Sequence, residues 1–101
     1  MEITNQTVTQ LVIDALTHHV STIEPDQINT TDHLEYDLLL NIRQDVPKII
    51  RRVQQELAHQ EVEITFDSEA LEDFLTEAEE DDDKGTVGEL ISFIKDELLY
   101  N

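Results

Sequence analysis

Residues Asp32–Leu57 read DHLEYDLLLNIRQDVPKIIRRVQQEL, and the fold turns on how that stretch divides. Its front half mixes acids and polar residues with Leu34, Leu38 and Leu39, the pattern of a loop that drops a few apolar side chains inward. Its back half is different. Val46, Ile49, Ile50, Val53 and Leu57 recur at helical spacing, while Arg51, Arg52, Gln54 and Gln55 fall mostly off that stripe. Asp45 is placed to cap this helix, with Pro47 in its first turn, where a missing N–H costs nothing. The stripe predicts a helix over about 45–59.

Upstream, Val8, Leu11, Val12, Ala15 and Leu16 mark a helix over about 5–19. Thr7-Val8-Thr9-Gln10 has the form of a capping box with Thr7 as N-cap, and Thr4 competes one turn earlier. β-Branched and small polar residues at Val20-Ser21-Thr22 end it. The connection over 20–44 carries Pro25, Asn29, Thr30 and Thr31 as turn formers. A structureless loop of that length is uncommon in a small domain, so it must be pinned. Ile23, Ile28, Leu34, Leu38 and Leu39 are the expected anchors, and Glu35–Leu40 has room for one helical turn.

Downstream, Val62-Glu63-Ile64-Thr65-Phe66 alternates like a strand but has no partner strand. It is expected to be an extended crossover burying Val62, Ile64 and Phe66. Asp67 or Ser68 then caps a third, short helix with Leu71, Phe74, Leu75 and Ala78 on its apolar face. Glu77–Asp83 holds six acids in seven residues, a density that favours an extended, solvated segment. A second capping box, Thr86-Val87-Gly88-Glu89, opens a fourth helix whose face is Val87, Leu90, Ile91, Ile94 and Leu98, with Phe93 on a flank. The expectation is one domain over 1–101, an all-α four-helix bundle with a long first connection.

The formal charge is −18, from 24 acids against 6 bases. Phosphate backbones and anionic membranes repel such a chain, so its expected partners are basic protein surfaces, with no direct nucleic acid and no membrane. The charge is uneven. Residues 61–83 hold 12 acids and no base, whereas 41–60 hold Arg43, Lys48, Arg51 and Arg52 against Asp45 and Glu56. Cysteine is absent, which excludes disulfides, thiolate metal sites and a cysteine nucleophile. No basic-apolar leader opens the chain and no apolar run is membrane-length, so a cytoplasmic protein is expected.

The order of these pieces resembles the acyl carrier protein family over nearly the whole chain. Three places carry the resemblance. Thr30–Leu38 looks like the family's loop, in which an apolar residue precedes an acidic pair and a leucine. Val62-Glu63-Ile64 with Asp67 looks like its exit from the second helix, and Thr86-Val87 with Leu90-Ile91 and Phe93-Ile94 looks like its last helix. The resemblance implies an Asp-Ser pair soon after Asp37-Leu38, the serine esterified by phosphopantetheine. Aligned without gaps, Asn41 and Ile42 fall on that pair; sliding the register brings Arg43 or Val46 onto the serine. None has a hydroxyl, and Asp32–Ile64 contains no Ser, Thr or Cys. No prosthetic group or other cofactor is therefore expected. The family's acid-rich docking helix is also inverted here, since the second helix offers Arg43, Arg51 and Arg52.

Other chemistry is weaker. An EF-hand register with Gly85 at the sixth position would put Lys84 at the fifth and Ile91 at the twelfth, neither of them a calcium ligand. His18-His19 are adjacent and point to different sides of a helix; with His33 and His59 they read as surface histidines. No nucleophile motif or phosphate loop points to an enzyme, and no catalytic or metal residue is assigned. The sequence thus suggests an acyl-carrier-like interaction or accessory module without cargo. The alternative is an acidic inhibitor or nucleic-acid mimic covering a basic site. Candidate partner-binding residues are Arg43, Arg51, Arg52, Glu77, Glu79, Glu80, Asp81, Asp82 and Asp83.

Overall fold

The computed structural model describes residues 5–20 and 22–100. Four helices form, α1 (Asn5–His19), α2 (Ile42–His59), α3 (Ser68–Glu80) and α4 (Val87–Tyr100), with 3-10 turns at Pro25–Gln27 and Asp82–Lys84. α1 packs against both α2 and α4, and α3 packs against α2. The stripes meet at the centre: Val12 and Leu16 of α1, Val53 and Leu57 of α2, and Leu90 and Ile94 of α4 are all solvent-excluded. Each such side chain contributes about 1.5–3 kcal/mol relative to an exposed one.

α1 spans the expected residues, but Thr7 lies inside it rather than capping it. Once a helix is nucleated, each further residue adds a backbone hydrogen bond at little cost, and nothing in Asn5-Gln6 prevents this. Thr4, the competing cap, and Ser21 lie outside the described residues.

α2 begins three residues before Asp45, the expected cap. The cap is Asn41, whose side chain accepts from the Gln44 N–H at 3.0 Å. Asp45 reciprocates from inside the helix, its carboxylate accepting from the Asn41 N–H at 2.7 Å. Starting early turns Ile42 into the core, where it is 2% exposed. It also moves Pro47 into the second turn, where the ring removes an N–H that would have reached the Arg43 carbonyl. At the far end the N–H groups of Glu61 and Val62 bond the carbonyls of Ala58 and Leu57, a Schellman closure with Glu61 left-handed at φ 64°.

The connection is pinned by Ile28, Leu34 and Leu38, but Leu39 is 85% exposed and Leu40 is buried instead. Residues 34–38 form a turn in which the N–H groups of Asp37 and Leu38 both reach the His33 carbonyl. The chain leaves this turn through Leu39 at φ 60°, which carries the Leu40 N–H to the Leu34 carbonyl and swaps which leucine faces inward.

That loop is laced to the start of α4. Leu34 N–H bonds the Gly85 carbonyl, Val87 N–H the Asp32 carbonyl and Gly88 N–H the Thr30 carbonyl, with an isolated antiparallel bridge between His33 and Thr86. Both glycines of the chain sit at this crossing. A Cβ on Gly85 would lie 2.6 Å from His33 Nε2, and one on Gly88 would lie 3.1 Å from the Thr30 carbonyl oxygen. They serve close approach, since neither has a positive φ.

Residues 62–66 are extended, with Ile64 buried, Val62 and Phe66 half-buried, and the Gln54 amide bonded to the Ile64 carbonyl. Asp67 caps α3. The third helix is not short, at 13 residues against 14 in α4, and it continues to Glu80 through acids expected to be extended. Two contacts hold that last turn: Ala78 is buried, and Arg43 neutralises Glu79. Beyond it, Asp81 accepts from the Asp83 N–H and starts the 3-10 turn that leads to Gly85. Thr86 caps α4, its hydroxyl accepting from the Glu89 N–H. No helix among the described residues is long and apolar enough to cross a membrane.

Candidate functional site

The head of α2 is closed by an arginine. Arg43 reaches α3, donating to Glu72 at 2.7 Å, to Glu79 at 2.6 Å and to the Thr76 hydroxyl at 3.4 Å. Glu79 and then Glu72 hold the guanidinium above its already high range. Arg43 is thus spent inside the molecule, clasping α2 to α3. Arg52 stands 3.9 Å from Glu56 one turn on, and with Lys48, His18 and His19 it lines a hollow of about 140 Å³ between α1 and α2. Arg51 is exposed and, among the described residues, has no ion pair. The three arginines therefore do not form one face.

The acids divide as well. Glu72 and Glu79 belong to the clasp, while Glu80 is exposed at the end of α3. Asp81 is consumed as a cap, Asp83 lies exposed in the 3-10 turn, and Asp82 stands beside Tyr36. Asp82, ahead of Glu35, pushes the Tyr36 phenol above its ordinary value. Glu77 lies elsewhere, at the edge of a groove of about 400 Å³ between α3 and α4.

His33 is the structural pivot of the loop. Contrary to the surface assignment it is 7% exposed, because its imidazole acts as a backbone cap. Nδ1 accepts from the N–H groups of Glu35 and Tyr36 at 3.0 and 3.2 Å, which leaves the neutral ring's proton on Nε2. Its own N–H donates to Asp37 at 2.7 Å, and the Tyr36 ring stacks on it at 4.3 Å. The Nε2 atom is buried without a partner against Gly85. His18, His19 and His59 are exposed.

The result is a hydrogen-bonded loop presenting two large apolar side chains, Tyr36 at 61% exposure and Leu39 at 85%, next to Glu35, Asp37 and Asp82. Reading the sequence missed Leu39's outward position and His33's inward one. Among the described residues no group of three or more histidines or acids is arranged to hold a metal. What the surface can do is accept hydrogen bonds and charge from lysine or arginine while offering apolar contact. No family profile, curated protein or solved structure matches this chain.

Proposed function

We propose that this chain is an acyl-carrier-like helical module that bears no prosthetic arm and works by protein–protein contact. The observation that carries this reading is the head of α2. A carrier displays a free serine there, whereas here Arg43 is tied to Glu72, Thr76 and Glu79, and no Ser, Thr or Cys occurs from Asp32 to Ile64. The loop just before that helix supplies the contact instead. Leu39 combines left-handed backbone, which costs about 1–2 kcal/mol for a residue with a Cβ, with an exposed leucyl side chain. The backbone turns Leu40 into the core, but the outward leucyl side chain takes no part in it, so recognition is the task that fits that side chain. The partner is a protein whose basic surface surrounds an apolar hollow, reached without catalysis.

Intact-mass measurement after incubation with coenzyme A and a broad phosphopantetheinyl transferase tests the first half. An unchanged mass is expected, and a gain equal to the arm overturns it. Capture from the native host with the chain and with a Tyr36→Ser/Leu39→Ser variant of equal helicity tests the second. The specific partner is lost from the variant, and an unchanged partner set overturns the assignment of the loop. The rival reading, an acidic inhibitor or nucleic-acid mimic, differs in its salt response. It requires capture to collapse with salt and to be competed by nucleic acid, whereas an apolar anchor retains part of the binding.

A further inference from the structure

The seam between α3 and α4 is closed by aromatic rings. Phe93 of α4 stacks on Phe74 of α3 at 5.1 Å and on Phe66 of the crossover at 6.1 Å. Above them lies the groove of about 400 Å³, with Phe74 and Phe93 in its lining and no cationic side chain. Its edges are carboxylates: Asp73 and Glu77 from α3, Glu89 and Asp96 from α4. Among the described residues no cation pairs with any of these four. An aromatic floor between two rows of uncompensated carboxylates is charge-complementary to one kind of occupant.

We propose that this groove seats a basic amphipathic helix from the partner protein, an apolar anchor on Phe74 and Phe93 and its lysines or arginines along the rims. This rests on the reading of the chain as a contact module and names the chemistry of what it contacts. Glu89 and Asp96 are seven residues apart, about 10 Å along α4 at the helical rise, so the rim matches two turns of a ligand helix. A groove between helices takes a helix by its apolar face, and among the described residues no sheet edge is offered for a strand. Anionic membranes, nucleic acids and acidic peptides are repelled by the same rims.

The test uses the full ¹⁵N-labelled chain and a synthetic lysine–leucine amphipathic helical peptide, with a scrambled peptide of the same composition as control. Amide shifts confined to residues 70–77 and 89–97 are expected, the scrambled peptide binding more weakly. An Asp73→Asn/Asp96→Asn variant should bind about tenfold more weakly, while Glu61→Gln/Glu63→Gln, which removes equal charge elsewhere, binds as the parent does. Shifts spread over the acidic surface, or equal weakening in both variants, overturn the groove as the seat. With the host partner, loss in Tyr36→Ser/Leu39→Ser but not in Asp73→Asn/Asp96→Asn removes the groove proposal and leaves the contact-module reading standing. The converse pattern removes the loop and keeps the groove.

Discussion

Among the described residues Leu39 and Glu61 adopt backbone that glycine would hold more easily, Leu39 to turn Leu40 inward and Glu61 to end a helix. Glu61 closes α2 through a Schellman motif at φ 64°, and its exposed side chain has no role in the closure. Glu61→Gly is therefore expected to raise stability by about 0.5–1 kcal/mol, read as a higher urea midpoint at unchanged slope. A lower midpoint would show that the carboxylate contributes where no contact is seen. Gly85 is the opposite case. Its φ of −100° suits alanine, but the new Cβ would press on His33 Nε2 and Cε1 and stand 3.0 Å from the Ala78 carbonyl oxygen. Gly85→Ala should cost about 1–3 kcal/mol, because a buried ring used as a cap cannot step aside. Neither residue could be placed this way from sequence. A glutamate gives no signal for left-handed backbone, and His33 reads as polar until its ring is seen filling the space that Gly85 leaves.

At the scale of elements, helical interiors were legible, as were the caps of α3 and α4 at Asp67 and Thr86, whereas the start of α2 was not. Val46, Ile49, Ile50, Val53 and Leu57 repeat with the helical period, so burial of that face follows from spacing alone. Asn41 and Asp45 are both good caps, and local chemistry does not choose between them; the choice is made by Ile42, which must reach the core. Once Asn41 caps, Asp45 becomes the reciprocal acceptor, 3.0 Å from the His19 ring of α1. Burial pushes its carboxyl up, but the Asn41 N–H, the His19 ring and Lys48 outweigh that and hold it below its ordinary value of 3.8. A carboxyl depressed by folding contributes stability above its unfolded value, lost as pH falls through the folded one. Asp45→Asn should accordingly cost about 1 kcal/mol at pH 7, with the gap to the parent closing as pH drops below 3.8. Urea melts of both proteins at pH 7, 5, 3 and 2 read this directly, and a gap that stays constant over the whole series assigns the effect to shape rather than charge.

Across the whole molecule, the charge imbalance was plain in the sequence but its organisation was not. Residues 61–83 read as one acidic block, yet seven of its 12 acids divide among the clasp (Glu72, Glu79), the groove (Asp73, Glu77) and the turn before α4 (Asp81, Asp82, Asp83). The cation that divides them, Arg43, lies 29 and 36 residues from its partners, beyond any local pattern. Salt acts on this arrangement in two opposed ways. It weakens the Arg43 clasp, whose groups are partly exposed, and it screens the mutual repulsion of a net −18 chain. At 0.01 M salt the screening length is about 30 Å, comparable with the 35 × 30 × 20 Å extents of the molecule, so charges repel across nearly all of it. At 0.5 M that length falls to about 4 Å, and only neighbouring charges interact. One arginine clasp against a surplus of 18 negative charges leaves repulsion as the larger effect. The melting temperature should therefore rise by several degrees between 0.01 and 0.5 M potassium chloride, and equally in choline chloride, since screening needs no specific cation. A fall over the same range would mean that the ion pairs, and not the repulsion, govern stability; a rise in potassium alone would point to a bound cation among the acids.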